Sequence, residues 1–284
     1  MKFDKWGRFD VTRSSVEFIH TVGMEKNNDL LTVILPFGNP EGKSVKYIVH
    51  ENQIFFTYME MDESGGHGIT LLLDSENIPY NPLSLIPAMK TAIKNYPEGS
   101  IELELTSKIP SNGLKLKDFD IAVFSLLARM QTIILGTDED VIDFLNVILE
   151  AIPNNMFKRL QFVTQSTSLS ENVNIIGMPF SDNVVSELEE SKGNYTLIFP
   201  GDRVYGQFSS KITKKIAKYA EKGEFDKIKN ELTEFYKIAL ESDDLPRAIE
   251  FAKEKDLHLS DAQLALIMRA NYYNKEVPST LLEV

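Results

Sequence analysis

The segments that decide the fold are TIIL at residues 132–135, the helical pattern DEDVIDFLNVILEA at 138–151, RLQFV at 159–163, NIIGMP at 174–179 and YTLIF at 195–199. The short apolar segments predict buried strands, and the segment at 138–151 repeats its apolar residues with the period of a helix. Parallel neighbours in a sheet need crossover connections, which the order strand, helix, strand provides. The stretch therefore predicts a mostly parallel sheet covered by helices.

The order and spacing of these segments resemble the central lobe of DENN domains over roughly seventy residues. In that family a strand and a helix lead to a second strand, an Ile-Ile-Gly-Val/Met-Pro turn, a short helix, and a strand followed by a basic turn. The matching positions are a turn at Ile175–Pro179, a short helix at Asp182–Glu189 and a basic turn at Gly201–Arg203. The aromatic run before the Ile-Ile-Gly box is shortened here to Phe157–Asn174, as in a minimal or divergent member.

Five apolar segments in the first half predict an antiparallel meander, because Gly, Asn, Pro and Asp clusters separate them. They are Ser15–Thr21, Leu30–Pro36, Val45–His50, Gln53–Glu60 and Gly68–Asp74. Both faces of the fourth segment carry apolar side chains. This predicts a central strand with helices or a partner on its second face.

A change of period after the meander predicts a helix over Asn81–Tyr96. Pro87 marks either a later start of this helix or a kink. Ile101–Leu105 adds a further strand with Glu102 on its solvent side. Five or six strands with a late helix resemble the longin lobe that precedes the central lobe in DENN proteins.

The predicted fold class is α/β, with an α+β first lobe. A longin-like antiparallel sheet with a helix occupies residues 1–107, and the Lys-rich, Pro- and Gly-containing segment 108–117 is a linker. A DENN-like, mostly parallel α/β sandwich follows at 118–208 and begins with a helix at Asp118–Met130. A helical C-terminal part occupies 209–284.

The composition of the 284 residues excludes several classes of protein. The absence of cysteine rules out disulfides, thiolate metal sites and cysteine nucleophiles, and it fits a reducing compartment. A formal net charge of −12 opposes binding to nucleic acid. No apolar run approaches the roughly 18 residues that would span a bilayer. We therefore expect a soluble, cytoplasmic protein without a transmembrane segment.

The junction at Gly136 lies between a strand and a helix, where phosphate-binding turns occur. Here Thr137 is a natural N-cap, and the carboxylates of Asp138, Glu139 and Asp140 already occupy the positive end of the helix. The Gly-Lys-Ser/Thr ending of a nucleotide loop is also missing. The sequence predicts structural capping and no nucleotide cofactor.

No other motif predicts a catalytic, cofactor or metal site. Gly65–Gly68 predicts a tight turn between two strands, although a ligand approaching its backbone is the alternative. The histidines are scattered and form no helical i, i+4 pair, so no metal site is predicted. They are His20, His50, His67 and His258. Neither a Gly-x-Ser-x-Gly elbow nor an ordered triad argues for an enzyme.

The predicted helix Ser209–Lys222 carries lysines on one face, including Lys211, Lys215, Lys218 and Lys222. Such a face suits an acidic partner or peripheral contact with an anionic lipid surface. A solvated face is the more common explanation.

The resemblance to DENN proteins implies a function carried by surfaces. In that family the longin and central lobes hold a small GTPase and act as its guanine-nucleotide exchange factor, whereas folliculin-type relatives form heterodimers and act as GTPase activators. An activator needs an arginine, and the chain has none between Ser14 and Ala128, so Arg8, Arg13 or a partner must supply it. Exchange needs no fixed side chain, because it works by preferential binding of the nucleotide-free state.

The sequence thus predicts an interaction protein that binds a small GTPase and promotes nucleotide exchange. The predicted partner-binding residues are Lys90, Lys94, Asn95, Gly177, Met178, Lys211, Lys215 and Lys218. The alternative is a scaffold or dimerisation subunit, as a homo- or hetero-dimer without exchange activity. Its sign would be apolar positions with no place in the core of the chain, for which Phe55, Tyr58 and Tyr272–Tyr273 are candidates.

Overall fold

A computed structural model describes residues 2–12, 15–35, 42–74, 81–95, 99–102, 119–128, 131–152, 160–169, 173–181, 184–186, 188, 195–200, 203–206, 209–240 and 259–272. The chain forms two compact units. The first consists of Met1–Pro110, Ile134–Val147 and Asn154–Ser191, and the second of Ser111–Ile133, Ile148–Pro153 and Lys192–Val284. The predicted linker at 108–117 lies outside the described residues.

The first unit contains an antiparallel meander. After the short strand β1 (Lys2–Phe3) its strands are β2 (Trp6–Val11), β3 (Val16–Val22), β4 (Gly42–His50), β5 (Gln53–Asp62) and β6 (Gly65–Leu73). Their spatial order is β4-β5-β6-β2-β3. A further strand, β7 (Ile101–Glu102), pairs with β1. Four of the five predicted meander strands are confirmed.

The predicted strand at Leu30–Pro36 is wrong, because this segment belongs to the helix α1 (Asn28–Ile34). The side chain of Asn27 caps this helix by accepting a hydrogen bond from the Asp29 N–H at 2.9 Å. Ile34 is fully buried in an apolar cluster that α1 shares with the meander. Tertiary packing here overrides the β-propensity of the Thr, Val and Ile residues.

The helix predicted at Asn81–Tyr96 is confirmed. A 3-10 turn at Pro82–Leu85, capped by the side chain of Asn81, precedes the helix α2 (Ile86–Asn95). Pro87 falls in the first turn of α2, where its missing N–H removes no helical hydrogen bond. Of the two interpretations of this proline, the later start is confirmed.

The central strand β5 has a helix on each face. Phe55 and Met59 belong to the cluster beneath α1. Tyr58 lies on the other face, where the Nζ atom of Lys90 in α2 is 5.4 Å from the centre of its ring. The central position predicted for this strand is confirmed.

The apolar positions suggested as a sign of dimerisation do not support that interpretation. Phe55 is 2% exposed and Tyr58 is fully buried, so both are absorbed by the core of the first unit. The prediction is wrong for these two residues. The side chain of Tyr272 and all of Tyr273 lie outside the described residues.

The glycines at 65–68 lie within β6 and do not form the predicted turn. The two-residue turn is Glu63–Ser64. A Cβ atom on Gly68 would lie 2.3 Å from Cζ of the Phe9 ring on the neighbouring strand β2. Close packing of the strands, in addition to turn geometry at Gly65 with φ of 137°, therefore explains these glycines.

Strands from the middle of the chain extend the sheet beside β4. They are β8 (Gln131–Leu135), β9 (Phe162–Val163) and β10 (Ile175–Met178). β9 pairs antiparallel with β4 and parallel with β10, which makes the sheet mixed. The parallel pairing predicted for the middle of the chain is confirmed for β9 and β10. The described pairs among β2 to β6 are antiparallel, as predicted for the meander. The resemblance implies a turn at Ile175–Pro179, but residues 175–178 form the buried strand that their apolar pattern predicts, and they pair with β9.

Two predicted helices flank β8 along the chain, and both are confirmed. They are α3 (Phe119–Leu127) and α4 (Asp138–Ala151). The Thr137 hydroxyl accepts a hydrogen bond from the Asp140 N–H at 3.1 Å and donates to the carboxylate of the same residue. The predicted structural cap is therefore confirmed. The boundary between the two units falls within β8 and within α4.

The second unit contains a hairpin and helices. β11 (Tyr195–Phe199) pairs antiparallel with β12 (Arg203–Tyr205). The helices α5 (Lys211–Glu221), α6 (Phe225–Leu240) and α7 (Leu259–Tyr272) confirm the helical character predicted after residue 209. None of the described helices combines the length and apolar character that a membrane crossing requires.

The short helix and the basic turn that the DENN resemblance implies lie only partly within the described residues. Residues 184–186 and 188 are helical, within the predicted short helix at 182–189. Arg203 begins β12, whereas residues 201–202 of the predicted basic turn lie outside the described residues.

Candidate functional site

An open groove of about 650 Å³ lies on the α1 side of the first unit. One wall is the segment that leads into α1 together with the exposed side of that helix, and the other is the turn between β4 and β5. Phe55 and Leu72 lie between the two walls. The groove thus depends on α1, the element whose secondary structure the sequence did not predict.

The β4–β5 turn holds its residues in an unusual backbone conformation. Glu51 has φ of 49° and Asn52 has φ of 62°, between the paired residues His50 and Gln53. Two positive φ angles define a type I′ turn, whose twist matches that of the flanking strands. Asn adopts these backbone angles readily, whereas for Glu the left-handed conformation costs about 1–2 kcal/mol of stability. Such strain is often found at binding sites, and here it holds a carboxylate at the rim of the groove.

The rim of the groove is acidic. The exposed carboxylates of Glu25, Asp29 and Glu51 line it, and the lysine that lines it, Lys5, offsets one of these three negative charges. The Nε2 atom of His50 lies 3.9 Å from Oε1 of Glu51, so a protonated imidazole would offset part of this charge. With His50 neutral, the rim carries an excess of two negative charges.

The floor of the groove contains apolar side chains, although polar groups make up the larger share of the groove's accessible lining. Met24, Leu30, Val33 and Leu72 are half-buried and pack on the cluster beneath α1. They leave apolar surface accessible from the groove. An apolar floor with a charged rim is typical of surfaces that bind a segment of another protein, with an apolar anchor inside and polar contacts around it.

A buried lysine fastens the end of the α1 wall to the sheet. Lys46 in β4 is 5% exposed, and its Nζ atom donates a hydrogen bond to the Leu35 carbonyl at 2.8 Å. This carbonyl belongs to the C-cap of α1, where a cation also interacts favourably with the helix dipole. The bond fixes the position of α1 against β4.

The described residues contain no cluster of metal ligands. Within them, no group of three or more His, Asp or Glu side chains is placed to hold a metal ion. At the start of α4 the Asp138 carboxylate accepts a hydrogen bond from the Lys43 N–H at 3.0 Å, and the Lys43 Nζ lies 2.7 Å from Glu139. These two carboxylates therefore already have partners within the first unit.

The predicted contact residues on α2 share one helix but lie on the face of the sheet opposite the groove. Lys94 and Asn95 are exposed at its end. Lys90 is half-buried over Tyr58, whose hydroxyl donates a hydrogen bond to Glu60. Burial, together with this hydrogen bond, raises the pKa of Tyr58 far above its usual value.

Gly177 and Met178 lie in the core of the first unit. A Cβ atom on Gly177 would be 2.5 Å from Cγ1 of Val141, so a larger residue would collide with α4. Met178 is 2% exposed, and its carbonyl accepts a hydrogen bond from the Gly136 N–H at 3.1 Å. Neither residue presents a side chain to the surface.

The predicted contact residues on α5 share its solvent-exposed face. Lys211 and Lys218 are exposed. Lys215 is bonded to Glu231 of α6, and this hydrogen bond raises the pKa of the lysine.

The groove itself was missed by the sequence analysis. The run LLTVIL at 30–35 has the composition of a strand, so the sequence predicts a strand of the meander where α1 lies. The available signal was Asn27 followed by Asp29, an N-cap with an acidic residue in the first turn. The type I′ turn had no glycine to mark it.

In comparisons with known proteins, the chain matches no protein-family model and no curated protein.

Proposed function

We propose that this protein binds a small GTPase through the groove of its first unit and promotes nucleotide exchange on it. The observation that carries the proposal is the combination of an apolar floor with a strained, acidic rim. The resemblance to longin and DENN lobes supplies the class of partner.

The charge of the rim suits the nucleotide-free state of a GTPase. When the nucleotide leaves, the lysine and the backbone amides that held its phosphates lose their anionic partner. Carboxylates such as Glu25 and Glu51 would stabilise this positive surface. They would gain less from the loaded state, where phosphate already fills the site. A difference in affinity of this kind is what drives exchange.

The groove is a better candidate for this contact than the predicted lysines. Thr91, Lys94 and Asn95 present only polar groups at the exposed side of α2. A lysine surface would be repelled by the emptied phosphate site. The groove offers both apolar area and the opposite charge.

An activator role has weaker support. Arg8 is 8% exposed within β2, and its guanidinium lies 3.8 Å from the Asp10 carboxylate. A buried arginine of this kind does not extend to a partner's phosphate. Arg13 lies outside the described residues.

The experiment starts from the full chain and an extract of its own cells. One sample is stripped of nucleotide with a chelator, and the other contains GTP and magnesium. We expect a small GTPase to be retained only in the stripped sample. Release of labelled GDP from that GTPase is then measured with the wild-type protein and with the Glu25→Gln/Glu51→Gln variant, which should lower the release rate by about tenfold or more.

A matched control separates the groove from the total charge of the protein. Glu221→Gln/Glu234→Gln removes the same two charges from exposed positions in the second unit and should leave the release rate unchanged. Absence of a GTPase from both samples, or equal rates for the two variants, would refute the proposal.

The scaffold alternative is tested by the mass in solution. Among the described residues β3 pairs only with β2, so it is an edge strand, and Ile19 is 44% exposed on it. Two features disfavour pairing of this edge with another chain. The Asn28 side chain accepts a hydrogen bond from the Phe18 N–H, and the pairing of β2 with β3 is irregular next to Phe9. A dimer measured by light scattering, with no GTPase retained, would favour the scaffold.

A further inference from the structure

We propose that a lysine stripe on α5 binds the second unit to an anionic lipid surface. The lysine stripe consists of Lys211, Lys214, Lys215, Lys218 and Lys222, all of which are exposed. The inference is independent of the groove and of the partner proposed for it.

Helix geometry places these five lysines on one side of α5. At about 100° per residue they fall within an arc of roughly 100°, and they extend along about 16 Å of the axis. The opposite side of the helix carries Ile216 and Ala220, which are 0% and 5% exposed. The apolar side therefore packs into the second unit, and the lysines project into solvent.

The neighbouring acidic residues Glu221, Glu224 and Asp226 offset the charge of the stripe only in part. Lys215 is paired with Glu231. Within the described part of the chain, the other four lysines form no ion pair. Residues 209–240 contain eight lysines and five acidic residues, a local excess of three positive charges in a chain whose net charge is −12. Such an excess attracts an anionic surface.

The residue types favour a lipid surface over a protein. The eight basic residues between 209 and 240 include no arginine. Protein interfaces are enriched in arginine and aromatic anchors and depleted in lysine, whereas lysine acts as a compact point charge that needs no fixed geometry. Tyr219, the aromatic residue beside the stripe, is half-buried between the Nζ atoms of Lys215 and Lys227, at 5.8 and 5.6 Å. A layer of anionic headgroups is the partner that such diffuse charge recognises, and each lysine near it strengthens binding by about fivefold.

The test is sedimentation of the full chain with lipid vesicles at low salt. Vesicles of phosphatidylcholine alone are compared with vesicles that contain about one-third phosphatidylserine. We expect binding to the anionic vesicles only, and its loss at high salt, because surface charges are then screened. Lys214→Gln/Lys218→Gln should lower the partition coefficient roughly twentyfold.

The control is Lys94→Gln/Lys237→Gln, which removes two exposed lysines outside the stripe and should change binding by less than about twofold. Thermal melts followed by circular dichroism establish that each variant is folded. Soluble poly-glutamate is the second probe. Binding to poly-glutamate without binding to anionic vesicles would assign the stripe to an acidic protein and overturn the proposal. Failure of the wild-type protein to sediment, or equal losses in the two variants, would overturn it as well.

Discussion

The two helices that pack on the sheet of the first unit differ in how far their own sequence determines that they are helical. α2 has ten residues, follows a capped 3-10 turn, and repeats buried positions at Met89 and Ile93. Its own sequence therefore predicts it. α1 has seven residues with the composition of a strand. Isolated helices as short as α1 or α2 are marginal in water, and α1, which lacks a helical signal in its apolar pattern, depends more on tertiary contacts.

The difference matters because α1 forms a wall of the groove and α2 does not. An element that is held mainly by its surroundings responds to changes in a few contacts, namely the core under Ile34, the bond from Lys46 and the cap at Asn27. Damage to these contacts should affect the groove as well as stability. Equivalent damage to α2 should affect stability alone.

The largest effects are expected from Ile34→Ala and Met89→Ala, which truncate fully buried side chains of α1 and α2. Each should lower the free energy of unfolding by about 2–5 kcal/mol, measured by urea denaturation. In the folded protein, only Ile34→Ala should speed hydrogen exchange of the α1 amides and weaken binding at the groove. The contrast between the helices fails if Met89→Ala weakens that binding equally.

Lys46→Met tests the bond that fixes the end of α1. It removes the donor to the Leu35 carbonyl while keeping most of the side-chain volume. Loss of a charged partner from a buried acceptor should cost about 2 kcal/mol. Lys43→Met, on the same strand but half-exposed and paired with Glu139, is the comparison and should cost less than about 1 kcal/mol. Similar losses for the two variants would mean that the buried bond has no special role.

The two asparagine caps should also differ. Asn27→Ala removes one exposed cap bond and should cost about 1 kcal/mol. Asn81→Ala should cost roughly twice as much, because the Asn81 Nδ2 atom also donates to Oδ1 of Asn146 at 2.6 Å in a buried position. Chemical denaturation gives both values. If Asn27→Ala lowered the free energy of unfolding more than Asn81→Ala, the stability of α1 would depend more on its own sequence than the comparison of the two helices implies.

The same contrast explains what could be predicted from the sequence. A short apolar run with both faces apolar identified β5, helical periodicity identified α2, and periodicity with the Thr137 cap identified α4. The errors at α1 and at Gly65–Gly68 have one cause, since in both places contacts distant in the sequence decide the local structure. The buried cluster holds α1, and the Phe9 ring requires Gly68. The strands predicted to end at His50 and to start at Gln53 place a turn at residues 51–52, but α1 was not predicted, so the sequence pattern contained only one of the two walls of the groove.

The smallest effect on stability, and the one that bears most directly on function, concerns Glu51. Asn adopts positive φ more readily than Glu, so Glu51→Asn should raise the free energy of unfolding by about 0.5 kcal/mol. The same change removes a rim carboxylate and should slow release of labelled GDP. A gain in stability together with slower exchange would indicate that Glu51 serves binding although its backbone conformation is strained. Asn52→Gly is the control, because it suits the same turn and leaves the carboxylate in place. If Glu51→Asn and Asn52→Gly slow exchange to the same extent, the conformation of the turn, and not the charge of Glu51, is what the partner recognises.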